Sequence, residues 1–167
     1  MSDRALVEWT SALESRHLAD LTFSEVSRAL RALSAVYVEC RGRIARGAAL
    51  SGAGKRAAFA LFYGPLHYLL VRHIVRSLPE AVLRGVVIDL GCGTGASGAA
   101  LATAGVARAT IEGIDRHGWT VEEARWTYRF FRLDARARIG DARRADLSRC
   151  DVVLAAFVLN ELDDQSR

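Results

Sequence analysis

The stretch VVIDLGCGTGASG, residues 86–98, constrains the fold more than any other part of this sequence. A short apolar run carrying a single acid, Asp89, leads straight into Gly91, Gly93 and Gly95, and ASGAALATA (96–104) then reads as a helix. An apolar strand, a tight glycine turn and a helix are the opening of a βαβ unit. The residues that follow extend it. TIEGID (110–115) reads as a second strand, and Thr120 with Glu123 has the capping-box spacing that opens a helix through about Leu133. ARARIGD (135–141) holds a weak third strand and DVVLAAFVL (151–159) a strong fourth. Strand and helix alternating in this order predict an α/β fold with a doubly wound parallel sheet and right-handed connections.

The glycines alone admit two cofactor readings. Gly93 to Gly98 fits the dinucleotide pattern GxGxxG, and Gly91 to Ala96 fits its GxGxxA variant. In a dinucleotide site the helix N-terminus and the loop amides receive a pyrophosphate, so an acid just ahead of the first glycine is poorly placed. Asp89 stands there, two residues before Gly91. A carboxylate suits a ligand with positive charge, such as one bearing an ammonium and a sulfonium.

VVIDLGCGTGASG resembles the first motif of the class I S-adenosylmethionine-dependent methyltransferases, an acid, then alternating glycines, after the first strand. The resemblance covers residues 86–162, and it implies the Rossmann-like methyltransferase sheet, of which strands one to four are encoded here, with S-adenosyl-L-methionine as cofactor. It implies contacts from Asp89, Gly91, Cys92, Gly93 and Gly95, Cys92 through its backbone. Asp115, closing IEGID, would bind the ribose hydroxyls, with Arg116 beside it. Asp141 in IGDAR, with Ala142, would lie near the adenine amino group. DVVLAAFVLNEL, including Ala156, would border the methionine end. FVLNEL departs from the N/D-P-P-Y of enzymes that methylate amino groups of bases or glutamine, which argues against those acceptors. Asn160 and Glu161 lie on the acceptor side, Glu161 more as a helix-start acid than as a base. No catalytic base identifies itself, so the acceptor, a small molecule or RNA, is left open.

The first 80 residues read as helices. Leu6, Trp9, Leu13 and Arg16 mark a first one. Thr22 to Glu25 forms a capping box before Val26, Leu30, Leu33, Val36 and Tyr37 at helical spacing. GRIARGAALSGAGK (42–55) breaks the pattern and reads as a loop. AAFALFYGPLHYLLVRHIVRSL (57–78) reads as two helices split at Gly64-Pro65, the second with Leu66, Leu69, Leu70, Ile74 and Leu78 on its packing face. Residues 1–85 are thus a helical region, a lid in the family's layout, and Tyr63 would touch the methionine end of the cofactor, as the resemblance implies, or equally pack in the core. Residues 86–167 are the cofactor-binding half-domain. A helical N-terminal half with AFVLNEL is also similar to methyltransferase-like proteins associated with the small ribosomal subunit.

Charge and composition set the remaining expectations. Residues 1–85 carry a net +5 and residues 86–167 a net −1, so RNA contact through the basic half, with or without turnover, is a second functional reading. A nicotinamide-dependent oxidoreductase is a third, disfavoured by Asp89. Three dispersed cysteines without a CxxC pair suggest neither a disulfide framework nor zinc, and His67 and His73 are six apart, unsuited to chelation from one helix face, so no metal is expected. No uninterrupted apolar run reaches the ~18 residues that span a bilayer, and the charged N-terminus is unlike a secretory signal. A cytoplasmic protein without a membrane partner is the plain expectation. The sequence stops shortly after the fourth strand, whose apolar edge would need cover. The expected reading is a fragment of a longer protein, with a missing C-terminal segment or a partner covering strand four.

Overall fold

The computed structural model describes residues 3–39, 50–78, 85–104 and 109–159. The chain forms two compact units, Ser2–Leu66 and His67–Arg167. In the first, helix α1 (Asp3–His17) buries Trp9 and Leu13, one turn apart. Helix α2 (Phe23–Glu39) buries Val26 and Leu33, two turns apart. The capping box before α2 is reciprocal: Thr22 N–H donates to Glu25 Oε2 at 2.8 Å, and Glu25 N–H donates to Thr22 Oγ1 at 3.3 Å. These bonds favour the ionised acid and hold the Glu25 carboxyl below its usual range.

Helix α3 (Ala53–Ala58) packs on α2 and passes through a π-helical turn (Phe59–Tyr63) into α4 (Gly64–Ser77). Two expectations change here. Most of the glycine-rich segment, residues 40–49, lies outside the described residues, but its last part, Ala53 to Lys55, is helical. The break at Gly64-Pro65 is absorbed instead of ending the helix. Gly64 N–H bonds to the Phe59 carbonyl five residues back. That wider turn suits Pro65, which has no N–H for the ordinary bond to the carbonyl four residues earlier. Ala53–Ser77 is therefore one 25-residue helical run, long and apolar enough by length and composition to cross a membrane, with 33% of its apolar window buried inside the protein.

In the second unit, α4 turns a different face inward from the one its leucines suggest. Tyr68, Val71 and Val75 are buried, whereas Leu69, Leu70, Ile74 and Leu78 are exposed, and so is Leu66. Tyr68 decides the orientation: its hydroxyl lies 2.8 Å from Thr103 Oγ1, and its ring stacks on Phe131 with centroids 5.4 Å apart.

Strand β1 (Gly85–Leu90) is followed by α5 (Ala96–Ala104), β2 (Ala109–Asp115), α6 (Gly118–Phe130), β3 (Ala135–Ile139) and β4 (Val152–Leu154). The sheet is parallel with the order β3-β2-β1-β4. Asp89 sits opposite Gly113 on one side and Leu154 on the other. The winding reverses between β1 and β4, so a crevice opens beyond the carboxyl ends of these strands. Val87, Ile111, Ile114, Val121 and Ala124 form the dry centre under α5 and α6. Helix α6 starts three residues earlier than its capping-box spacing suggests. His117 is its N-cap, with Nδ1 accepting from Trp119 N–H, while the Thr120 hydroxyl donates to Asp115. β4 is also shorter than its apolar run. It pairs only along Val87–Asp89, and the chain then bends at Phe157, whose φ of 64° ends extended structure.

Candidate functional site

The carboxyl ends of β1 and β2 bring together the glycine turn, Asp89 and Asp115. The turn is fixed by its own amides. Gly91 and Cys92 N–H both donate to the Ile114 carbonyl, at 2.8 and 3.1 Å, and Gly95 N–H donates to the Cys92 carbonyl at 2.8 Å. Gly93 N–H donates to Asp115 Oδ2 at 3.0 Å. Four loop donors are thus committed to acceptors of the protein itself, which leaves this segment poorly equipped to cradle a pyrophosphate.

Gly91 and Gly95 are required by the turn and its packing. Both have positive φ, 65° and 77°. A Cβ on Gly91 would lie 2.8 Å from Val158 Cβ, and one on Gly95 would lie 2.9 Å from Ala124 Cα. Val158 therefore folds the segment after β4 onto the turn. At Gly91 the obstacle is a side chain, so we expect Val158→Gly to recover part of the stability that Gly91→Ala loses, a coupling readable in a double-mutant cycle of denaturant midpoints.

Asp115 is the acid best placed to meet a ligand. It is half-buried at the end of β2. Its Oδ1 accepts from His117 N–H at 2.9 Å and from the Thr120 hydroxyl at 2.8 Å, while Oδ2 accepts from Gly93 alone among the described residues. One acceptor position on Oδ2 is left for a hydroxyl. Asp89 differs. It is 1% exposed, and its Oδ2 has no hydrogen-bond partner in the described structure. Burial, reinforced by the charge of Asp115, pushes its pKa up to about 8 against the opposing Gly98 amide. Near pH 7 it therefore holds its proton beneath the turn, sealed from solvent. Cys92 is buried beside it, with its thiol pushed upward chiefly by burial.

The other residues singled out in the sequence are distributed less tightly. Arg116 is exposed next to Asp115. Asp141 caps the short turn Ala142–Arg144, and its carboxylate is already engaged by Arg143, whose Nη2 donates to Oδ2 at 2.6 Å and whose backbone N–H donates to Oδ1 at 3.0 Å. The Arg143 hydrogen bond holds the Asp141 carboxyl far below the usual range. Ala142 and Ala156 are half-buried. Tyr63 belongs to the first unit, where its ring meets Phe59 and Phe62 at 5.6 and 5.2 Å. Asn160 and Glu161 lie outside the described residues.

Sequence reasoning missed three features. Tyr128 on α6 reaches under the turn, a placement its helical spacing marks only as core. Val158 shapes the turn from a segment read as strand. His67 stacks on Phe157, with centroids 3.8 Å apart and an interplanar angle of 11°. Burial drives the His67 pKa down to about 4, so its imidazole is neutral near pH 7.

Residues 87–167 match the sequence family described as a methyltransferase domain. No curated protein sequence matches the chain. Among solved structures the fold is similar to that of the mitomycin 7-O-methyltransferase MmcR, with 17% identity and a TM-score of 0.58 over 93% of this chain and 47% of that one. A further match is the tRNA (uracil-54, C5)-methyltransferase of Pyrococcus abyssi in complex with S-adenosyl-L-homocysteine, with 24% identity and a TM-score of 0.42 over 56% of this chain and 21% of that one. The chain spans less than half the length of each of these two proteins.

Proposed function

We propose, for a chain that belongs through residues 87–167 to the class I S-adenosylmethionine-dependent methyltransferases, that it binds S-adenosylmethionine at the carboxyl ends of β1 and β2 and transfers its methyl group to an acceptor. The observation that carries this reading is the chemistry of the crevice: Asp115 at the end of β2, with an acceptor position left on Oδ2, beside a turn whose amides are committed internally. Such a site favours hydroxyls and positive charge over phosphate. Asp115 Oδ2 would accept from a ribose hydroxyl, and the turn, held by Ile114 and Val158, would form the wall beside it. When bound, the cofactor supplies a methyl group already activated by its sulfonium, so the protein's part is alignment and exclusion of water.

Calorimetric titration tests the reading. S-adenosylhomocysteine is expected to bind in the micromolar range and NAD to give no heat of binding. Asp115→Ala is expected to weaken the former at least tenfold, ~1.4 kcal/mol. Binding of NAD alone would replace this reading with the oxidoreductase one.

A further inference from the structure

We propose that Asp89 and Tyr128 share one water-sized polar site beneath the glycine turn, and that Tyr128 acts through it as a positioning residue for the Asp89 carboxylate. The site is outlined by two glycines. A Cβ on Gly98, in α5, would lie 3.0 Å from Asp89 Oδ2 and 3.0 Å from Tyr128 Oη. The two oxygens are therefore no more than about 6 Å apart, since each is 3.0 Å from the same point. One water, with hydrogen bonds of about 2.8 Å to either side, spans such a gap. A Cβ on Gly113, in β2, would lie 2.8 Å from Tyr128 Oη and 2.9 Å from Cys92 Sγ, so the thiol lies within about 6 Å of the phenol oxygen. Both oxygens are buried without a hydrogen-bond partner in the described structure. Two unpartnered buried oxygens this near each other supply the polar neighbours that an ordered internal water needs, two to four in number.

The phenol donates toward the carboxylate in this arrangement, which favours the ionised acid. Around Asp89, its own turn contributes Cys92, β2 contributes Asp115, α5 the Gly98 amide and α6 Tyr128, while its neighbour across β4 is the apolar Leu154. The acids Asp115 and, when ionised, Cys92 oppose the charge on Asp89. The Gly98 amide and the Tyr128 hydroxyl are the two donors that support it. Removing the hydroxyl leaves burial and repulsion less opposed, so the proton is held more tightly.

The test reads Asp89 directly. Carboxyl carbon chemical shifts of Asp89 in the full 167-residue chain are followed from pH 4 to 10 in the wild type, Tyr128→Phe and Gly98→Ala. Both substitutions are expected to raise its midpoint by about one unit or more, tenfold in proton affinity. Gly98→Ala retains the phenol and places a methyl 3.0 Å from each oxygen, displacing whatever is held between them. An unchanged midpoint in both variants overturns the proposal. The functional consequence rests on the cofactor reading. Tyr128→Phe should weaken S-adenosylhomocysteine, which carries an ammonium, several-fold near pH 8 while leaving adenosine unchanged. Equal weakening of both ligands would show a merely structural role. If the wild type binds neither ligand, the cofactor reading fails while the carbon titration still decides this inference.

Discussion

Alanine at position 95 is expected to lower the unfolding free energy by about 3 kcal/mol or more and to abolish binding of S-adenosylhomocysteine. Two costs combine. Gly95 has a φ of 77°, a conformation that costs a residue with a Cβ roughly 1–2 kcal/mol. The new methyl would also lie 2.9 Å from Ala124 Cα and 2.9 Å from Tyr128 Cε1. A backbone atom cannot rotate away, so α6 itself must shift, and overpacking of this kind costs ~1–3 kcal/mol. Ala124→Gly should give little rescue, because the obstructing Cα remains. Urea denaturation of the single and double variants measures the first effect, and calorimetry on the folded fraction measures the second. A stable Gly95→Ala variant with wild-type affinity would show that α6 approaches the turn less closely than the structure has it.

The parallel sheet was legible in the sequence because each of its segments carries a local signal. The apolar run VVIDL (86–90) and the run TIEGID (110–115) are β1 and β2 to within one residue, and ASGAALATA is helix α5 in full. The parts that were misread depend on contacts distant in sequence. The apolar run 151–159 has the composition of a long strand. Yet β4 stops at Leu154, because β1 offers it partners only as far as Asp89 and Val158 is drawn onto Gly91. The leucines of α4 have helical spacing on one side, but Tyr68 finds Thr103 and Phe131 on the other, and those partners are 35 and 63 residues away. Periodicity marks an apolar face without saying which of two faces finds a partner.

The site divides in the same way. The alternating glycines and the two acids were visible as a pattern, and they lie around one turn. What the pattern could not supply is the role of each atom. Gly91 and Gly95 make room for Val158 and α6, and the Gly93 amide is bound by Asp115. Asp141 is held by Arg143, two residues along, an interaction that spacing alone does not distinguish from an open carboxylate. Nor does an acid among apolar neighbours reveal whether it faces solvent or is sealed in. Asp89 is sealed, and that single fact changes its chemistry.

Asparagine at position 89 should consequently make the protein more stable at pH 8 and a poorer binder of S-adenosylhomocysteine. In the folded state burial raises the Asp89 pKa to about 8 from an ordinary 3.8. With the folded value above the unfolded one, its contribution to stability is fully present below about pH 4 and is lost as pH rises to about 8. Across that window the folded protein holds a proton that the unfolded chain has released. Asparagine titrates in neither state and removes this slope, up to ~1.4 kcal/mol per pH unit. Its buried amide costs on the order of 1–3 kcal/mol in return. The net gain near pH 8 is thus on the order of a few kcal/mol, and the variant should be no more stable than the wild type near pH 4. Binding moves the other way. A ligand with positive charge draws the proton from Asp89, a response asparagine lacks, so affinity near pH 8 should fall about tenfold or more, ~1.4 kcal/mol. Urea midpoints from pH 4 to 9 check the stability half, and calorimetry in two buffers of different ionisation enthalpy counts the released proton. If wild type and variant keep a constant stability difference over this range, Asp89 holds no proton in the folded state. The negative charge would then already be present beneath the turn, and the affinity loss should appear undiminished down to pH 5.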